Sequence, residues 1–408
     1  MRIGRRTFLG AAAAGAVGVA VLPPRLAEAA PKLRVTGIEL LPIRATERTV
    51  WLIVQLRTDA GLTGLGEASD AFGFLNTTKQ DAARMEMELR RFFSLVEGKS
   101  PLEIGVYRQQ GESIAARGGL VSATAYSAIE QALWDLAGKA LDVPTHTLFG
   151  GAIRKTIPIY ANINRATNPR TPAGFAASAK AAAREGFRGV KGAPWDGFPP
   201  HGSPGATTEA AVKQGIACVA AMRDAVGPGV ELMADAHSFF DVPLGERVAR
   251  ELEPVNLAWY EEPVAPERIE EMREIHRRIR QPMAAGELLF GIAGFAPLTF
   301  NKSVDVIMPD VKHCGGLLEL TRVAAMAERD GVQVAPHNPS GPVSTAANVQ
   351  VCAVLKNFRL LEYQWGEAAW RHDVVTPPEF FDRGTLHVPD RPGLGIELDE
   401  KVVRAHLM

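Results

Sequence analysis

From Ile157 onward the chain repeats one unit, a short apolar run followed by a stretch with helical spacing. The runs fall at 157–161, 189–191, 231–234, 259–260, 283–285, 304–308, 332–335 and 360–361, eight in all. Parallel neighbouring strands need a crossover between them, usually a helix, so this alternation predicts an α/β fold with a parallel sheet. Eight units across one stretch predict a (β/α)₈ barrel. A doubly wound open sheet is the competing architecture, but no Gly-rich phosphate fingerprint follows a first strand.

The residue just after each run carries the chemistry. The series is Lys191, Asp235, Glu261, Glu287, Asp310, His337 and Glu362, and from Asp235 onward its steps run from 23 to 27 residues. One unit per step puts each side chain at the C-terminal mouth of a successive strand, the face where barrel enzymes work. A single acidic residue there is an ordinary solvated strand end. Three converging carboxylates, Asp235, Glu261 and Glu287, repel one another unless a cation sits among them. They are hard oxygen donors with no thiolate in the set, which suits Mg²⁺. Such an ion would bind a substrate carboxylate and take up the charge that grows as its α-proton leaves.

The neighbours fit that task. His337 is the candidate base and Asp310, one unit earlier, the residue that orients its ring. Lys191 and Glu362 flank the substrate carboxylate from the second and eighth strands. His237 stands two residues after Asp235, so strand alternation would aim both at the mouth. His237 is then either an acid that protonates a leaving hydroxyl or a polar neighbour that orients a ligand carboxylate. Further candidate substrate contacts are Asn162, Asn164, Trp195 and Trp365. The Gly- and Pro-rich segment 192–205 reads as a lid or as an inserted surface loop.

Ahead of the barrel, residues 33–155 read as a separate α+β unit. It has a strand hairpin turning at Asp59-Ala60-Gly61, helical spacing over 77–97 and 101–117, and a stronger helix over 122–140. The barrel is expected over 156–380, with a tail, 381–408, returning to the first unit. Residues 1–29 read as a twin-arginine export signal: Arg5-Arg6-Thr7-Phe8-Leu9, an Ala-rich apolar run to Leu22, and Ala27-Glu28-Ala29 as a cleavage site. That run is shorter than the ~20 residues a spanning helix needs. The expectation is a periplasmic protein with no membrane attachment after cleavage. A formal net charge of −1 and no basic patch argue against nucleic acid. Cys218, Cys314 and Cys352 lack any CxxC pairing and read as buried small hydrophobes.

Several segments together resemble the enolase superfamily, specifically its mandelate racemase/muconate lactonizing enzyme-like group. They are Ala132-Leu133-Trp134-Asp135-Leu136-Ala137-Gly138-Lys139 with Leu148-Phe149-Gly150-Gly151, then Trp259-Tyr260-Glu261-Glu262-Pro263, Ala285-Gly286-Glu287 and Pro309-Asp310-Val311-Lys312-His313-Cys314-Gly315-Gly316. The resemblance implies a capping domain completed by the C-terminal tail, Mg²⁺ held by Asp235, Glu261 and Glu287, a His337–Asp310 dyad and a symmetric homo-oligomer. Many members carry Lys-x-Lys at the second strand, whereas this chain reads Lys191-Gly192-Ala193 and lacks the second lysine. With Asp-x-His at 235–237 and Pro-His-Asn-Pro at 336–339, it is most similar to acid-sugar dehydratases. The expected activity is dehydration of a sugar acid to a 2-keto-3-deoxy acid. A cycloisomerase or lactone-opening enzyme, and a non-catalytic sugar-acid binding protein, are the alternatives.

Overall fold

The computed structural model describes residues 32–73 and 77–408, so the export signal lies outside the described residues. No helix among the described residues is long and apolar enough to cross a membrane.

The chain opens with an antiparallel sheet of β1 (Val35–Arg44), β2 (Val50–Thr58) and β3 (Thr63–Glu67) in the order β1-β2-β3. Helix Lys79–Phe93 follows, started by a capping box in which Thr78 and Asp81 satisfy each other's backbone N–H. The next helical stretch, Ile104–Ala140, is broken at Gly119, whose φ of 74° interrupts the helix between the two segments read from the sequence. Its second half lays Ala125, Ile129, Ala132, Leu133 and Leu136 into a core shared with Leu52, Val54 and Leu56 of β2.

Eight parallel strands then form the barrel: β4 (Thr156–Asn162), β5 (Gly189–Gly192), β6 (Glu231–Asp235), β7 (Trp259–Glu261), β8 (Met283–Ala285), β9 (Val306–Ile307), β10 (Gln333–Val334) and β11 (Leu361–Gln364). Each pairs with the next up to β10, and β11 pairs back onto β4. The seam between β10 and β11 is bridged by Val334–Phe358 pairing and by Glu362 N–H donating to Pro336 O at 3.3 Å. The barrel interior is filled by Tyr160, Met233, Trp259, Ala284, Val306, Met308, Ala335 and Leu360. It is a packed core, so any site must sit at its rim. Burial leaves all three cysteines as free thiols in the core.

Two cap carboxylates lock the units together by accepting backbone donors at barrel-helix N-termini. Glu130 takes the N–H of Leu317 at 2.7 Å and of Leu318 at 3.1 Å, and Glu67 takes those of Gly341 at 2.7 Å and Ser344 at 2.9 Å. The tail divides its contacts between the two units. Strand Thr385–His387 pairs antiparallel with the first half of β4, where β11 does not reach. Beyond it, Leu394 N–H donates to Asp135 at 2.7 Å and Met408 N–H to Pro42 O at 2.9 Å, which returns the terminus to the cap.

Candidate active site

The rim residues converge as the unit spacing requires. Lys191 lies in β5, Asp235 and Glu261 end β6 and β7 as register partners, and Glu362 lies in β11. Glu287, Asp310 and His337 sit just beyond their strands. Gly286, at φ 111°, makes the turn that sends Glu287 back over the rim, a conformation closed to a side chain. Ligand oxygens of Asp235, Glu261 and Glu287 lie within 4.8 Å of one another, and all three residues are buried. Lys191 Nζ bridges the cluster, 2.6 Å from Glu261, 3.0 Å from Glu362 and 3.4 Å from Asp235. Asn162 Nδ2 donates to Glu362 Oε1 at 2.8 Å, and Asn338 N–H donates to Glu362 Oε2 at 2.9 Å.

Two imidazoles face this triad from strands four places apart around the ring. His337 places Nδ1 2.7 Å from Asp310 Oδ2 and Nε2 3.1 Å from Glu287 Oε2. Asp310 is itself held by the Lys312 N–H at 2.7 Å and by Lys312 Nζ at 2.9 Å. His237 places Nδ1 2.5 Å from Asp196 Oδ1 and Nε2 3.1 Å from Asp235 Oδ2. Strand alternation does not bring His237 here, because β6 ends at Asp235. His237 instead takes a left-handed conformation, φ 44°, which folds its ring back over the mouth.

Excess negative charge governs protonation. Burial raises the Glu261 carboxyl well above the usual range, and the neighbouring Asp235 pushes the same way. Glu262, buried behind the triad, is pushed up to about 8 by burial and by Glu287. Burial disfavours a charged His337, but Glu287, Glu362 and Asp310 outweigh it and raise its pKa. Asp310 is held below its usual range, since Lys312, His313 and His337 more than offset its burial.

A cavity of about 490 Å³ opens above these groups. Asn162, Asn164, Lys191, Asp235, His237 and His337 line it, joined by Arg48 and Phe72 from the cap and by Arg165, Asp196 and Phe239 from barrel loops. Two expected contacts are elsewhere. Trp195 is 2% exposed and packs edge-on against Phe240 at 5.4 Å, because the loop after β5 folds its apolar ring into the barrel's outer core. Trp365 lies one residue beyond β11, in the turn that follows it, and its Nε1 donates to Glu185 at 2.9 Å. In the 192–205 segment, Asp196 and Gly197 border the cavity while Phe198 packs against Phe240.

Sequence reasoning missed Asp196 as the partner of His237. It also missed the buried Arg165, which pairs with Asp70 of the cap at 2.9 Å and with Glu367 at 3.3 Å. Their partners lie 41, 95 and 202 residues away in sequence. Lys312 follows Asp310 by two residues and holds it through both its backbone N–H and Nζ, a role the sequence reading did not assign.

Residues 35–150 match the family described as Mandelate racemase / muconate lactonizing enzyme, N-terminal domain, and residues 174–402 match Enolase C-terminal domain-like. The chain belongs to the mandelate racemase/muconate lactonizing enzyme family of the enolase superfamily. Within it, the chain is 32% identical to the D-xylonate dehydratase of Haloferax volcanii, over 88% of this chain and 85% of that one. It is also 32% identical to the D-galactonate dehydratase of Ralstonia pickettii, over 86% and 90%. Among solved structures, it is similar to a mandelate racemase/muconate lactonizing enzyme from Sulfitobacter sp. The TM-score is 0.82 at 27% identity, covering 92% of this chain and 95% of that one.

Membership of this superfamily implies Mg²⁺, and the donor set fits it. Three buried carboxylates within 4.8 Å, with no thiolate or imidazole among them, match a hard divalent cation. Asp235, Glu261 and Glu287 would hold it. Glu287 is also the strongest influence raising the His337 pKa, so a cation held at the triad would offset it and leave His337 free to accept a proton.

Proposed function

We propose that this protein is a hydro-lyase that dehydrates a sugar acid to a 2-keto-3-deoxy acid, with Mg²⁺ as its cofactor. The observation that carries this reading is the pair of aspartate-held imidazoles on either side of the carboxylate triad, each with Nε2 3.1 Å from one of its members. One acid and one base, from different barrel units, suit loss of water across two carbons. The names of the relatives, D-xylonate, D-galactonate and D-gluconate dehydratase, support the same substrate class.

His337 Nε2 removes the α-proton, and Asp310 stabilises the resulting imidazolium. The ion, when bound, neutralises charge developing on the substrate carboxylate. Lys191 presents a second positive charge to that carboxylate. His237 donates a proton to the 3-hydroxyl, which leaves as water when the C2–C3 double bond forms, and the enol product tautomerises to the 2-keto acid. Asn162 and Asn164 offer hydrogen bonds to the remaining hydroxyls.

A panel of aldonic and aldaric acids with Mg²⁺, read by semicarbazone formation from the 2-keto product, tests the reaction. An isomer of unchanged mass as the only product rejects dehydration. We further propose export by the twin-arginine route, supported by Arg5-Arg6, the short apolar run and the Ala27-Glu28-Ala29 site. Replacing both arginines with lysine is expected to trap a precursor in the cytoplasm, and mature protein is expected to begin near Ala30. Unchanged periplasmic delivery of that variant rejects the route.

A further inference from the structure

The loop after β5 begins Lys191-Gly192-Ala193, without a second lysine, and supplies something else. The backbone of Ala193 is pinned: its N–H donates to Asn164 Oδ1 at 3.3 Å and its O accepts from Arg170 Nη2 at 2.6 Å. Arg170 also donates to Asn164 O and to Asn164 Oδ1, each at 2.9 Å, and lies over the Phe175 ring at 5.2 Å. Three residues on, Asp196 Oδ2 accepts from Asn164 Nδ2 at 2.6 Å and from Arg170 Nη2 at 3.3 Å. Its other oxygen, Oδ1, is 2.5 Å from His237 Nδ1. A surface loop that needed only an anchor would be held by Arg170 and Asn164 alone, without a carboxylate turned into the cavity wall.

We propose that Asp196 is the positioning residue of the acid: clamped by Arg170 and Asn164, it accepts the His237 Nδ1–H and thereby aims Nε2 at the leaving hydroxyl. The inference rests on the dehydratase reading. Fixing Nδ1 as the protonated ring nitrogen decides the tautomer, so Nε2 is the atom that exchanges a proton with substrate. The arrangement reproduces, on the opposite wall, what Asp310 does for His337. The site thus holds two Asp–His dyads, one assembled across the sixth and seventh units and one across the second and third.

The test uses the Mg²⁺-loaded full chain with Asp196→Ala and Asp196→Asn. It compares a turned-over sugar acid with its 3-deoxy-3-fluoro analogue, whose fluoride departs without needing a proton. Losing one charge-assisted hydrogen bond is expected to lower kcat for water loss by about 10–100-fold in Asp196→Ala. KM is expected to stay within about threefold, and fluoride release within about twofold of wild type. Asp196→Asn should recover nothing, because its one amide oxygen stays with Asn164 and Arg170 and its NH₂ then faces His237 Nδ1. In a His237→Asn background, Asp196→Ala should cost nothing more. Equal losses for water and fluoride, or additive losses in the double variant, overturn the proposal. If no sugar acid is turned over by the wild type, the dehydratase reading fails, and the positioning role is still decided by ¹⁵N spectra of the His237 ring. An unchanged tautomer in Asp196→Ala then refutes it, and a shifted one supports it.

Discussion

Asp310→Asn is nearly isosteric and isolates what the buried carboxylate does for His337. Oδ1 of Asp310 accepts the Lys312 N–H at 2.7 Å, while Oδ2 accepts from Lys312 Nζ at 2.9 Å and from His337 Nδ1 at 2.7 Å. Every partner is a donor, and an amide has one oxygen. If that oxygen stays on the Lys312 N–H, the NH₂ group faces His337 Nδ1. The ring must then carry its proton on Nε2, the atom that should accept one. If the amide turns over, its NH₂ meets the Lys312 N–H, and a buried donor is left unsatisfied at about 1–3 kcal/mol. Either way the imidazolium loses its charged partner, worth about 1–2 kcal/mol more than a neutral one. The total of about 2–5 kcal/mol corresponds to a kcat lower by about 30- to 5,000-fold. KM should move little, since Asp310 lies behind the ring. The assay is steady-state formation of the 2-keto acid at saturating Mg²⁺, with circular dichroism to show that the fold persists. A kcat within threefold of wild type would refute the claim that Asp310 sets the tautomer of the base.

Removing metal with EDTA should abolish turnover and Mg²⁺ should restore it, while Glu261→Gln should weaken metal binding with the fold intact; full activity in a rigorously metal-free preparation rejects the triad. His337→Asn should lose kcat by at least the ~10²–10⁴ typical of a general base, and His237→Asn should block water loss while leaving α-proton exchange in D₂O. With Ala193 in place of a second lysine, the enzyme should act on one α-configuration without epimerising it, and racemisation of an α-substituted acid by the wild type would overturn this. Burial, the dominant influence, holds His313 down to about 4 against an ordinary 6.5. Its folded pKa is depressed, so the stability it contributes is present above pH 6.5 and lost as pH falls through about 4, a change of about 3 kcal/mol. His313→Gln should flatten denaturant-measured stability across that window, and an unchanged pH slope counts against it.

The sequence by itself determined the architecture and the ring of polar residues at its rim. Parallel strands joined by helices force a repeat of about 25 residues, so a polar residue at each repeat from Asp235 to Glu362 has to stand at one end of the barrel. Period-two alternation orders side chains only where a strand continues, and Trp365, one residue past β11, turns to Glu185 instead of the cavity that Glu362 faces. It had no authority beyond a strand's last residue, and His237 reaches the mouth only through a left-handed turn. Contacts between distant segments were decided by tertiary structure alone. Asp196 beside His237, and Arg165 between Asp70 and Glu367, are made by side chains that no local period relates. Trp195 shows the same limit from the other side: an aromatic residue in a loop beside the mouth lines a site or fills a core according to which packing buries more of its ring. Local pattern reports which way the backbone carries a side chain, whereas its partner is chosen by folding energy summed over the whole molecule.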